Sequence, residues 1–185
     1  MKRFLLPLGV FALLVIVLAV GIANAPKNGS KEIVSPLLGK AAPQFRLPQL
    51  ADRAAQLENT ALLGGWHLVN VWGTWCPECR VEHETLLQIK NEGRVPIIGI
   101  DWKDDDSAAM AWLSQLGNPY EMVATDHDGR AAIDWGVYGA PESFLVNPQG
   151  IVVEKLIGAM TMEAWNTRFL PHLASGAPAS GKAGA

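Results

Sequence analysis

From Phe4 to Ala23 no residue is charged and most are apolar, while Lys2 and Arg3 stand ahead of the run and Lys27 is the next charge. About twenty residues at helical rise span roughly 30 Å, the thickness of a bilayer core. Basic residues before the run favour an N-terminus held in the cytoplasm, with everything after the span exported. Ala23-Asn24-Ala25 resembles a small-residue cleavage signal. The run is longer than a usual signal core, however, and Pro26 would follow the cut directly, so residues 1–25 read as a retained transmembrane anchor. Residues 26–37 are a polar tether, 38–173 one domain, and 174–185, built largely from Ala, Ser, Gly and Pro, a disordered tail.

Within the domain, apolar runs predict strands at Leu68–Trp72, Pro96–Ile100, Ser143–Val146 and Ile151–Leu156. Helical spacing predicts helices at Pro77–Asn91, Ser107–Leu116 and Thr161–Leu173, with Val81, Leu86, Leu87 and Ile89 on the apolar side of the first and Met110, Trp112 and Leu113 as core positions of the second. Asn147-Pro148-Gln149-Gly150 is a hairpin signal between the last two strands. The order β-α-β-α-β-β-α describes an α/β fold: a mixed central sheet with helices on both faces, in which Leu68–Trp72 and Pro96–Ile100 are parallel neighbours.

Composition changes this picture in two places. A formal net charge of −3 over 185 residues argues against a nucleic-acid partner. The chain has 2 cysteines, Cys76 and Cys79, so neither a disulfide framework nor a four-cysteine zinc cage is available. Both lie in Trp75-Cys76-Pro77-Glu78-Cys79, on a strand-to-helix turn where the first N–H groups of the helix lack internal partners. The positive end of a helix lowers a thiol's pKa, and the thiolate is the reactive form. Cys76 should therefore be the accessible, attacking sulfur. Cys79, a turn further in, should be shielded and should resolve the mixed disulfide. Pro77 supplies a helix-ready φ at the first helical position.

Other polar residues have plainer explanations. Lys103-Asp104-Asp105-Asp106 reads as a cap for the Ser107–Leu116 helix. His83 follows Cys79 by four residues, but no fourth ligand completes a metal site, and no metal or bound cofactor is expected; the two cysteines carry both electrons themselves.

Gly136-Val137-Tyr138-Gly139-Ala140-Pro141-Glu142-Ser143-Phe144, together with Trp75–Cys79, Asp128-Gly129-Arg130, Gly117-Asn118-Pro119-Tyr120 and Gly39–Phe45, resembles the membrane-anchored thioredoxin-like proteins of cytochrome c maturation (the CcmG/DsbE type) over about Leu38–Leu173. The resemblance implies a thioredoxin-like fold with a cis bond at Ala140-Pro141 facing the cysteines, and a substrate peptide bound by Trp75, Ala140 and Pro141. It further implies a single-pass protein of the bacterial inner membrane with its redox domain in the periplasm. There it would reduce the haem-attachment cysteines of apocytochrome c, directly or through a maturation protein, and be recharged by a transmembrane thiol carrier. Two departures stand out. Asn70 occupies the position where thioredoxins carry a buried aspartate, and Asp101-Trp102 replaces the group's Asn-Tyr. Asn70, Asp101 and Glu142 are the candidates for assisting proton transfer at Cys79.

Direction has an electrostatic argument. A stabilised thiolate makes a stronger oxidant, whereas Glu78 sits between the cysteines and Glu142 follows the loop proline, and negative charge opposes the thiolate. Both acids should bias the pair towards reduction. The alternatives are a general exported reductase, a peroxide-directed thiol enzyme suggested by Ala42-Pro43-Gln44-Phe45 and Thr74, and a metallochaperone that binds without turnover.

Overall fold

An uncharged, leucine- and valine-rich sequence lets Leu5–Ala23 wind into one helix, α1, of 19 residues. The computed structural model describes residues 5–23 and 35–175, which belong to two separate units, Met1–Val34 and Ser35–Ala185. The fully described part of α1, residues 7–21, measures about 22 Å at 1.5 Å per residue. Among the described residues no helix is long and apolar enough to cross a membrane. The expected basic flank at Lys2 and Arg3, most of the 26–37 tether and nearly all of the 174–185 tail lie outside the described residues.

The second unit is built on a five-stranded sheet. Its strands are β3 (His67–Trp72), β4 (Ile97–Trp102), β5 (Met122–Asp126), β6 (Glu142–Val146) and β7 (Val152–Ile157), while β1 (Arg46–Pro48) and β2 (Gln56–Glu58) form a separate antiparallel pair. The order across the sheet is β5-β4-β3-β6-β7. β3 runs parallel to β4 and β4 to β5, and β6 is antiparallel to both β3 and β7. The β6–β7 connection is the predicted hairpin, closed by Gly150 N–H donating to Asn147 O at 2.8 Å. Three strands escape a reading of the sequence. β5, Met122-Val123-Ala124-Thr125-Asp126, has only two bulky apolar side chains, so no run marks it. β1 and β2 are 3 residues each, too short for alternation to register.

Period-two alternation sends each strand to both faces. Leu68, Trp72, Ile97 and Leu145 join one buried cluster with α2 (Pro77–Glu92), α3 (Asp106–Leu116) and the C-terminal helical segment. Val69, Val71, Ile98, Ile100 and Phe144 join the other, with Phe45, Leu57 and the short α4 (Arg130–Asp134) followed by Trp135. The C-terminal segment runs as α5 (Met162–Ala164), a π-turn over Trp165–Phe169 and α6 (Leu170–Ser175), not as one uniform helix.

α2 begins with Pro77 and ends at Gly93, whose φ of 64° is left-handed. Its inward face corrects the expected one. Cys79, Glu82, His83, Leu86 and Ile89 are buried, and Val81 is exposed. The 3.6-residue period from Cys79 carries two polar residues inward, which an apolar-only count passes over. In α3, Asp105 caps the helix as expected by accepting from Ser107 N and Ala108 N, each at 3.0 Å. Leu113 is buried there, Trp112 partly so, and Met110 faces solvent, against expectation.

Gly99 of β4 lies in register with Asn70 of β3. A Cβ there would stand 2.9 Å from Trp72 Nε1 and 3.0 Å from the Tyr120 ring. Gly99→Ala should destabilise the domain by about 1–3 kcal/mol of overpacking, read as a lower urea midpoint at unchanged slope.

Candidate active site

Asn70 and Trp72 point to the α2 side of the sheet, and the chain then turns through Gly73-Thr74-Trp75 into α2. Cys76 is the N-cap of that helix, and Cys79 N–H donates to Cys76 Sγ at 3.1 Å. The sulfur thus occupies the acceptor position that an Asp or Ser side chain fills in ordinary helices. The two cysteines form a disulfide. Cys79 is shielded as expected, at 3 % exposure, but Cys76 is only 2 % exposed, and the expected open sulfur is corrected for this oxidised form. In the closed ring both sulfurs belong to the buried cluster against which Ala140 packs.

The turn is fastened from β4's end. Thr74 donates both its backbone N–H and, at 2.8 Å, its hydroxyl to the Asp104 carboxylate. Trp75, 49 % exposed, donates its indole N–H to Trp102 O at 3.0 Å and meets the Trp102 ring edge-on. Lys103, between these anchors, holds a φ of 53°, left-handed for a residue with a side chain.

Ala140-Pro141 is cis, as the resemblance implied. The loop leading to it is held by a buried ion pair. Glu142 Oε1 accepts from Tyr138 N at 2.8 Å and Gly139 N at 3.4 Å. Lys155 Nζ stands 2.8 Å from Glu142 Oε2 as an ion pair, without the alignment of a hydrogen bond, and donates to Gly136 O at 2.8 Å. The same ammonium lies over the Tyr138 and Phe144 rings. This corrects the expected role of Glu142: its charge is matched by Lys155, so Glu78, exposed in the first turn of α2, is the acid left near the sulfurs without a buried countercharge.

Sequence reasoning missed Glu82. It is fully enclosed on the same helical face as Cys79, three residues on. Glu82 Oε1 accepts from Asn70 Nδ2 at 2.8 Å, and Oε2 from Met160 N at 2.7 Å. Burial, opposed by these two donors, raises its pKa to about 7. Asn70 thus does not replace the aspartate of thioredoxins; it orients an acid supplied by α2. The signal was the Cys79, Glu82, Leu86, Ile89 spacing, which puts a carboxylate on an apolar stripe. Asp101 is buried at the end of β4, where no donor reaches either of its oxygens among the described residues and the Asp104 carboxyl stands within hydrogen-bond reach of its protonated form. Burial, and then the Asp104 and Asp105 carboxylates, raise its pKa to about 8. His83 spends both ring nitrogens on structure, Nε2–H donating to Gly117 O at 2.9 Å and Nδ1 accepting from Trp112 at 3.2 Å.

A disulfide capping a helix, a cis-proline loop whose Ala140 packs on the buried cluster that holds both cysteines, and an enclosed carboxyl group that ionises near neutrality form a site for dithiol–disulfide exchange. Residues 37–167 match the Redoxin family model. The thiol:disulfide interchange protein DsbE of Pseudomonas aeruginosa is 44 % identical over 92 % of this chain and 93 % of its own. The DsbE of Allochromatium vinosum is 43 % identical over 94 % and 93 %. Among solved structures, a secreted thiol-disulfide isomerase from Corynebacterium glutamicum shares the fold at a TM-score of 0.67 and 18 % identity, over 81 % of this chain and 98 % of its own. This chain accordingly belongs to the Redoxin family, among the thiol:disulfide interchange proteins of the DsbE kind.

Proposed function

We propose that this thiol:disulfide oxidoreductase works outside the cytoplasm as a reductant in cytochrome c maturation. Its target is the disulfide between haem-attachment cysteines of apocytochrome c, met directly or on a partner maturation protein. A transmembrane thiol carrier returns the pair to the dithiol. The uncharged Phe4–Ala23 run behind Lys2 and Arg3 supports a single-pass inner-membrane anchor that leaves Ser35 onward in the periplasm.

The observation that carries the chemistry is Cys79 and Glu82 enclosed on one helical face beneath the Cys76 cap. In the reduced enzyme the Cys76 thiolate attacks one sulfur of the substrate disulfide. That S–S bond breaks, a mixed disulfide forms, and the departing substrate sulfur takes a proton. Glu82, ionised for part of the population near neutral pH, then accepts the Cys79 proton. The Cys79 thiolate attacks Cys76 Sγ, the mixed disulfide breaks, and the second substrate sulfur leaves reduced. Two electrons have passed to the substrate, and the enzyme holds the Cys76–Cys79 disulfide seen here. Trp75, Ala140 and Pro141 receive the substrate backbone, in the manner of an extended peptide on exposed main-chain groups.

Trapping tests this. A Cys79→Ser chain should hold its substrate on Cys76 as a mixed disulfide, and a c-type apocytochrome or a maturation protein should be recovered. Recovery of unrelated exported proteins alone reduces the reading to a general reductase.

A further inference from the structure

Tyr120 takes no part in the chemistry described above, yet its hydroxyl reaches the centre of the site. It is buried and donates to Asn70 Oδ1 at 2.8 Å. The Asn70 amide nitrogen in turn donates to Glu82 Oε1 at 2.8 Å and to Ser143 Oγ at 3.1 Å. We propose that Tyr120 is a positioning residue of the redox site, holding the Asn70 amide so that its nitrogen, and not its oxygen, faces Glu82. The proposal deepens the reading of Glu82 as the proton acceptor for Cys79 and rests on it for its consequence in turnover.

The physical need is specific. A buried amide can turn over, and each orientation suits one charge state of its neighbour. Nitrogen towards Glu82 serves the carboxylate, which only accepts. Oxygen towards Glu82 serves the carboxylic acid, which donates. Without a third group the amide follows whichever state it meets, and the acid stays protonated to higher pH in its apolar surroundings. Tyr120 removes the tie. The bond to Asn70 is the only one its hydroxyl makes among the described residues, so turning the amide over strands a buried phenolic proton without an acceptor. Burial first, then the Glu82 and Asp101 carboxyls, hold the Tyr120 pKa well above its usual value, so its proton stays available to donate throughout the working range.

The fold is shaped to deliver that hydroxyl. Tyr120 N–H donates to Asn118 Oδ1 at 2.9 Å, fixing the turn before β5. Its ring stacks on Trp72, centroids 5.3 Å apart and planes 22° apart. It passes over Gly99, the residue opposite Asn70, where a methyl group would meet it at 3.0 Å. Around the Glu82, Asn70 and Tyr120 chain the titratable groups are Asp101 from β4, which acts on Tyr120, and Cys79 and His83 on the helix of Glu82, while β6 contributes the neutral Ser143 and the loop before α5 the Met160 N–H.

The test reads Glu82 directly. In the full chain carrying carbon-13 glutamate, in detergent micelles, the Glu82 carboxyl signal is assigned by its loss in Glu82→Gln. Tyr120→Phe should raise the proton affinity of Glu82 about tenfold, moving its titration midpoint up by about one pH unit. Ser143→Ala, which leaves the amide oxygen held, should change it less than about twofold. An unmoved or lowered midpoint in Tyr120→Phe, or an equal shift in Ser143→Ala, overturns the proposal. The rate of Cys79-dependent release from a mixed disulfide on Cys76, followed against pH, separates the two layers. A midpoint that moves while this profile stays put upholds Tyr120 as the positioning residue and removes Glu82 as the proton acceptor.

Discussion

Lys155→Met should destabilise the redox domain by about 3–5 kcal/mol, read as a lower urea midpoint. The side chains of Lys155 and Glu142 are 3 % and 0 % exposed, so the substitution leaves a carboxylate enclosed with only the Tyr138 and Gly139 N–H groups to hold it. Adding Glu142→Gln should recover much of the loss, because the penalty comes from the stranded charge and not from the absence of attraction. The functional effect should follow the loop. Lys155 Nζ ties Gly136 O, and Glu142 ties the next residues before Ala140-Pro141, so the pair staples the segment proposed to receive substrate. Affinity for a disulfide peptide should fall in the single variant by more than the rate of attack by Cys76 on a small disulfide, which needs no such loop. A loss below about 1 kcal/mol in Lys155→Met would falsify the staple.

How much of this is legible in the sequence differs by kind of residue. The cysteine turn, the parallel β3–β4 pair, the β6–β7 hairpin and the Asp105 cap each rest on a local signal: a spacing, an apolar run or a turn dipeptide. Those signals survive folding because neighbours in sequence enforce them. The buried polar network does not announce itself that way. Glu82, Asn70, Tyr120 and Ser143 come from α2, β3, the turn before β5 and β6. Only the fold brings them within hydrogen-bond distance. Asn70 draws notice because an amide stands where thioredoxins place an acid, but the compensating acid sits twelve residues on, in an amphipathic helix whose expected inward face held only apolar residues. Lys155 is hidden for the same reason. A lysine in β7 belongs on the solvent side by composition, and nothing local reveals that Glu142 waits across the strand pair. The two acids expected to bias the cysteines together thus separate: Glu142 is a structural anion and Glu78 an exposed one.

As pH rises from about 5 to 6 two buried acids, Glu82 and Asp101, should each cost stability, joined by Asp126, whose pKa burial also raises, and opposed by His83, whose pKa burial lowers. Glu82 is raised from 4.5 to about 7 and Asp101 from 3.8 to about 8, in each case first by burial. Both shifts point upward, so in this window the folded chain keeps two protons that the unfolded chain has released, and the contribution of these two groups to stability falls as pH rises. Well below about pH 4 both groups are protonated in either state and no penalty exists; well above about pH 8 both are ionised in either state and the penalty is complete. Each group contributes a slope of about 1.4 kcal/mol per pH unit where its proton is held only by the folded state. Denaturant unfolding across this range should show Asp101→Asn losing that slope up to about pH 8, and Glu82→Gln losing it only up to about pH 7. The variants differ in activity as well. Glu82→Gln cannot accept a proton and should slow release from the mixed disulfide about a hundredfold near neutral pH, the low end of what a positioned base supplies. Asp101→Asn, whose carboxyl accepts no hydrogen bond from the Asn70, Glu82 and Tyr120 network, should slow it far less. Parallel slopes in wild type and both variants would mean that neither acid is held protonated by the fold, and equal rate losses would remove Glu82 as the specific proton acceptor. The instability that Glu82 brings at working pH follows from the chemistry it performs, since a carboxyl poised to exchange a proton near neutrality must be one whose charge the interior only half tolerates.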